Sequence, residues 1–154
     1  MIIRCYVCIG RADKTDRPHM IKTFKNITKY FHPNHTIPST DLFSYYSDSF
    51  FAPVGQGHIS YDCFRIYESI SAGCIPIVVS NYSTLLSTFS CYKDKHTLHI
   101  PWLMYESWEE AKIAVLGMLG QENITEIRRL QRSVIEWWRQ KKVDLVEDIR
   151  AALL

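Results

Sequence analysis

The spacing of apolar residues changes several times along the chain, and each change marks a new element. Residues 2–9, "IIRCYVCI", are almost continuously apolar, which predicts a strand buried on both faces. Gly10 ends it, and the polar loop "RADKTDRP" delivers Pro18 to about the first turn of a helix. Met20, Phe24, Ile27 and Phe31 then recur at helical intervals, so one helix is expected up to Pro33. Ser39 is an N-cap for a short helix carrying Leu42, Phe43 and Tyr46. A strand "SFFAP", a loop "VGQGHIS", a helix over 61–72, Gly73 just past its end and a strand "IPIVV" complete a strand–loop–helix–strand unit.

Beyond it, "NYSTLLSTF" predicts a helical turn and "TLHIP" a brief strand. Ser107 with Glu110 three residues on forms a capping box, and a long helix over about 124–150 places Ile127, Leu130, Val134 and Trp137 or Trp138 on one side. No repeat or low-complexity stretch interrupts this order. Strands alternating with helices predict an α/β fold, a Rossmann-like parallel sheet with flanking helices, as a single domain over 1–154.

In such sheets ligands sit beyond the carboxyl ends of strands, where helix N-termini offer N–H groups and a positive dipole end. The loop with Gly55, Gln56 and Gly57 lies at such a point, and an anion, most naturally a phosphate, is the guest it suits. Gly55-Gln56-Gly57-His58-Ile59-Ser60 only partly matches a dinucleotide fingerprint. The acidic residue expected after the next strand is missing, since Ser80, Asn81 and Tyr82 stand there, so NAD is not expected. No P-loop motif occurs. On the following helix Arg65 and Glu68 are one turn apart. Read plainly, they form a solvated ion pair contributing about 0.2–0.5 kcal/mol. Read with the loop, Arg65 reaches back to a diphosphate and Glu68 accepts both hydroxyls of a ribose.

Composition adds mostly exclusions. A net charge of +2 with mixed signs does not call for nucleic acid. The basic, tryptophan-bearing stretch "RRLQRSVIEWWRQKK" reads first as a helix with one packed and one solvated face. No run of about 18 apolar residues predicts a membrane span. "MIIRCYVCIG" is not a signal peptide, so a complete product is expected in the cytoplasm; a piece of a longer protein could belong to the Golgi lumen. All four asparagines, Asn26, Asn34, Asn81 and Asn123, stand in N-x-[ST] sequons, which would suit a secretory lumen. The plainer reading makes them strand ends, helix caps and coincidence. Cys5 and Cys8 point to opposite faces of a strand and are read as structural thiols, not metal ligands. His96 and His99, with Cys91 and Asp94 nearby, match no strong zinc spacing, so no metal is expected.

The block "APVGQGHISYDCFRIYESISAGCIPIVV" resembles the C-terminal, donor-binding half of exostosin-like glycosyltransferases, and looks most like the ribitol xylosyltransferases and related viral and algal enzymes. Pro53, Gly55, Cys63, Phe64, Arg65, Tyr67, Glu68, Gly73, Cys74, Ile75, Pro76 and Val78 carry the shared pattern. "SWEEAKIAVL" and "LQRSVIEWWRQKK" resemble the same family's tail, so the likeness covers roughly 40–145. It implies the C-terminal lobe of a two-lobed GT-B fold and a nucleotide-sugar donor, UDP-xylose above all, used without a bound metal or other cofactor. It further implies that Arg65 meets the diphosphate, Glu68 the ribose and Arg17 a second phosphate contact, with the base near the backbone of 100–102.

The departure is as informative. The lobe that holds the glycan acceptor and the general base has no counterpart here, so the catalytic residue is unknown and a partner lobe or subunit is expected. The competing expectation is a non-catalytic interaction module that binds a protein through its tryptophan-rich helix. A flavodoxin- or receiver-like regulator is disfavoured, because Gly10 and Arg11 stand where its acidic cluster would be.

Overall fold

The structure, a computed structural model, describes residues 6–8, 16–28, 30–32, 37–57, 60–92, 100–120 and 123–153. Among the described residues five strands alternate with five helices and a sixth helix follows: β1 (Tyr6–Cys8), α1 (Arg17–Phe24), β2 (Tyr30–His32), α2 (Ser39–Ser47), β3 (Phe51–Val54), α3 (Phe64–Ser71), β4 (Ile75–Val79), α4 (Tyr82–Thr88), β5 (Leu103–Tyr105), α5 (Trp108–Gly120) and α6 (Ile124–Leu153). A 3₁₀ turn, Ser90–Tyr92, follows α4. Every described ladder is parallel: β1 with β2, β3 with β4, and β4 with β5. β1 in turn lies beside β3, giving the spatial order β2, β1, β3, β4, β5. This is the expected Rossmann-like α/β architecture, and strand order reverses between β1 and β3.

The central strands are buried throughout, as their continuous apolar runs require: β3 and β4 have no exposed residue. Phe51, Ile66, Ile70, Ile75, Ile77 and Val78 are fully inaccessible, and Met20 and Phe24 of α1 close one side of this core. On the other side α6 packs across α3 through Ile127 and Val134. Gly73 has φ +76°, the left-handed conformation that ends α3, and a Cβ there would meet Ile135 at 3.2 Å. The Ser107 hydroxyl accepts the Glu110 N–H at 3.1 Å, while the Glu110 carboxylate returns to the Glu106 N–H at 3.2 Å, one residue before the reciprocal partner expected.

Two elements differ from the sequence reading. The helix expected to reach Phe31 stops at Phe24, and Tyr30–His32 form β2 instead. Ile27, Thr28, Tyr30 and Phe31 are β-branched or aromatic, and pairing with β1 outweighs a period that three residues cannot express. The strand expected over 97–101 is not the sheet's last: β5 begins at Leu103, with 97–99 outside the described residues. Smaller differences affect the caps. Pro38, not Ser39, precedes α2, and α3 starts at Phe64 instead of 61, leaving Asp62 off the helix.

Two of the tryptophans are buried and two are half-buried. Trp102 and Trp108 are 4% and 2% exposed, and Trp137 packs edge-on to Tyr92 and Trp102 at 5.1 Å from each. Trp138 lies 5.4 Å from Tyr67. These rings join α6 to α3, the 3₁₀ turn and the segment before β5, so part of the tryptophan surface expected to meet a partner is spent inside the domain. Exposed apolar residues of α6 are Ile124 and Ile135 and, further on, Val143, Leu145, Val146, Ile149 and Leu153.

Candidate functional site

The reversal between β1 and β3 splays the loops after these strands apart, and the candidate site forms there. Two consecutive residues at the start of α1 grip the loop after β3. Asp16 Oδ1 accepts the Gln56 N–H at 2.9 Å, and Arg17 Nε donates to the Gln56 carbonyl at 3.0 Å. The second Asp16 oxygen accepts the Trp108 indole N–H at 3.1 Å. One carboxylate thus joins the loop, α1 and α5. Asp16 precedes α1 but does not cap it with its side chain, since both oxygens are directed elsewhere.

The glycines serve this close approach. A Cβ on Gly55 would stand 2.6 Å from Arg17 Cγ and 3.4 Å from Asp16 Oδ1. A Cβ on Gly57 would stand 2.7 Å from the Ser60 carbonyl and 3.1 Å from Cys63 Cβ. The Gly57 N–H donates to Ser60 O at 2.8 Å. The amides of Gln56 and Gly57 are therefore committed to the protein, which corrects the picture of a loop offering its amides to a ligand. Glycine is needed here for packing against α1 and α3.

The anion-binding capacity shifts to the start of α3. Its N-cap is Cys63, which is extended (φ −131°, ψ 152°) and makes no side-chain cap hydrogen bond, so its own side chain leaves the positive end of the helix open. Burial pushes the Cys63 thiol pKa up, against opposing pulls from the Arg65 and Ile66 amides and from the charges of Arg65 and Arg17. Arg65 is the second residue of α3, nearer the N-terminus than the full turn expected, with its guanidinium 5.0 Å from the Phe64 ring centre. Arg17 is 9% exposed and spends its Nε on the loop, so it braces the site from below.

Glu68 lies one turn further into α3. Its Oε2 is buried and accepts no hydrogen bond among the described residues. Burial raises its pKa above the ordinary carboxylate value, and the Arg65 charge opposes the rise without cancelling it. A buried carboxylate oxygen without a donor is costly, and such orphans are uncommon outside functional sites. Beside it, Tyr67 donates to Asp62 Oδ1 at 2.6 Å and shares a 2.8 Å bond with the Tyr92 hydroxyl. Burial and these partners drive the Tyr67 pKa far up, so the phenol stays protonated. The segment expected near a base ends at Trp102, whose indole N–H is also buried without a partner.

The structure thus brings Arg17, Gly55, Gln56 and Gly57 together at the switch point, with Cys63 against Gly57 and with Arg65 and Glu68 following on α3. Asp16 was not singled out in the sequence, because its contacts to Gln56 and Trp108 join segments tens of residues apart, and Cys63 was read only as part of the family pattern. No group of three potential metal-ligating side chains occurs among the described residues; His96, His99 and Asp94 lie outside them.

A family model described as the RXYLT1 C-terminal domain matches residues 20–153. The chain belongs to this family. Neither a curated protein nor a solved structure matches it. Within the RXYLT1 C-terminal domain, the match contains the loop, α3, Arg65 and Glu68, while Asp16 and Arg17 stand just before its first matched residue. Membership makes this a ribitol-xylosyltransferase-like domain and ties it to a glycosyltransferase family.

Proposed function

We propose that this domain binds the nucleoside diphosphate of a sugar donor, UDP-xylose being the first candidate, as the C-terminal lobe of a GT-B-type glycosyltransferase. The observation that carries the reading is Glu68: a buried carboxylate oxygen without a donor among the described residues, one turn below a helix end that its N-cap side chain leaves open and whose first turn carries Arg65. The diphosphate lies against the first amides of α3 and the Arg65 guanidinium. The ribose follows one turn deeper, where its two hydroxyls donate to Glu68 and relieve the orphan oxygen. The uracil then approaches the backbone around Ile100–Trp102. Arg17 and Asp16 hold the loop wall and do not reach the sugar.

The transferred sugar faces outward, toward a second lobe or partner subunit. That partner supplies the glycan acceptor and the base that takes the proton from its attacking hydroxyl. Calorimetry of the folded protein with UDP, UDP-xylose and GDP tests the reading. Binding of UDP and UDP-xylose, with GDP weaker, is expected. Silence with all three at millimolar concentration refutes it.

A further inference from the structure

The four sequons are not accounted for by donor binding. Serine and threonine make up about one residue in seven of the chain. Four asparagines out of four followed two places on by a hydroxyl residue is then a coincidence on the order of one in 2,000 for an N-x-[ST] pattern. None of the intervening residues (Ile27, His35, Tyr82, Ile124) is proline, which the acceptor pattern forbids.

The structure divides the three described asparagines into two classes. In a parallel sheet, strand ends and helix starts share one edge, and helix ends share the other. Asn26 follows α1, whose opposite end carries Arg17 in the loop clamp. Asn123 follows α5, whose opposite end carries Trp108 bonded to Asp16. Both stand at the far edge, about 12 Å and 20 Å from the clamp by the lengths of their helices. Both are exposed, and neither side chain makes a hydrogen bond among the described residues. Asn81 is different. It follows β4 on the same edge as the site, and its Oδ1 accepts the Thr84 N–H at 2.8 Å and the Ser83 hydroxyl at 2.7 Å to cap α4.

We infer that Asn26 and Asn123 are N-glycosylation sites on the face turned away from the donor pocket. The Nδ2 of each asparagine displaces the lipid diphosphate from a lipid-linked oligosaccharide. A bond forms from nitrogen to the anomeric carbon, the bond from that carbon to the diphosphate oxygen breaks, and a carboxylate of the membrane transferase takes the amide proton. Glycans at these two positions cover the polar far edge and leave the α3 mouth open.

The test uses the full chain recovered from the cells that express it. Digestion with peptide N-glycosidase in heavy-oxygen water converts each glycosylated asparagine to isotopically labelled aspartate, read by mass spectrometry. Label at positions 26 and 123 is expected. Recovery of both as unmodified asparagine overturns the inference, and so does label confined to Asn34 or Asn81. In a second arm, Thr28→Ala and Thr125→Ala each abolish label at their own site only, while Thr28→Ser and Thr125→Ser retain it. Label persisting in the alanine variants also overturns it. None of these outcomes depends on whether the domain binds a nucleotide.

Discussion

Gly55→Ala probes the clamp that shapes the site. The new methyl would lie 2.6 Å from Arg17 Cγ, whereas carbon atoms rest at about 3.5–4.0 Å, so roughly 1 Å of displacement is needed. Arg17 cannot yield cheaply, because it is 9% exposed and its Nε is fixed 3.0 Å from the Gln56 carbonyl. Met20, the next neighbour at 3.4 Å from the methyl, is fully buried. Pushing the guanidinium off its acceptor forfeits a charged hydrogen bond, about 1.5–3 kcal/mol. Overpacking adds about 1–3 kcal/mol. Relaxation shared between the two gives an expected loss of about 2–4 kcal/mol, measured as a lower urea midpoint at unchanged slope. Gly117→Ala is the control. Gly117 is exposed within α5, with nothing within 4 Å of the added methyl, so the same substitution should stabilise by about 0.5–1 kcal/mol. A Gly55→Ala protein within about 0.5 kcal/mol of the parent would refute the clamp.

Further consequences follow from the other site residues. Uridine binding should strengthen as pH rises through the raised Glu68 pKa, because only the carboxylate accepts both ribose hydroxyls; Glu68→Gln should bind weakly with no such dependence in calorimetric titrations. The sign for stability is opposite: the folded state holds the Glu68 proton more tightly than the unfolded chain, so this residue's contribution is most favourable at low pH and is lost as pH rises through the folded pKa. Arg65→Ala should weaken UDP binding by about 1.5–3 kcal/mol while leaving uridine nearly unchanged. Of the three described thiols, only exposed Cys91 should react with a maleimide in the native protein at neutral pH, and mass mapping should find Cys63 and Cys74 modified only after unfolding.

What was legible in the sequence was what short segments decide for themselves. Gly73 in its left-handed turn, the Ser107–Glu110 cap and the buried run of β4 each rest on neighbours within a few residues. Arg65 and Glu68 were visible because one helix turn relates them. β2 and β5 were missed because a three-residue strand carries no period, and its identity comes from the strand beside it. The clamp was invisible for a related reason. Asp16 meets Gln56 and Trp108 only after α1, α5 and the β3 loop have been brought together, so no local pattern announces it. Its absence from the sequence reading is also why the loop amides were expected to face a ligand.

A crystal of the domain soaked with uridine diphosphate tests the central claim most directly. The account predicts phosphate density against the first turn of α3 within reach of Arg65, and both ribose hydroxyls about 2.6–3.0 Å from the Glu68 carboxylate. A nucleotide bound elsewhere, or bound with Glu68 Oε2 still lacking a donor, would contradict it.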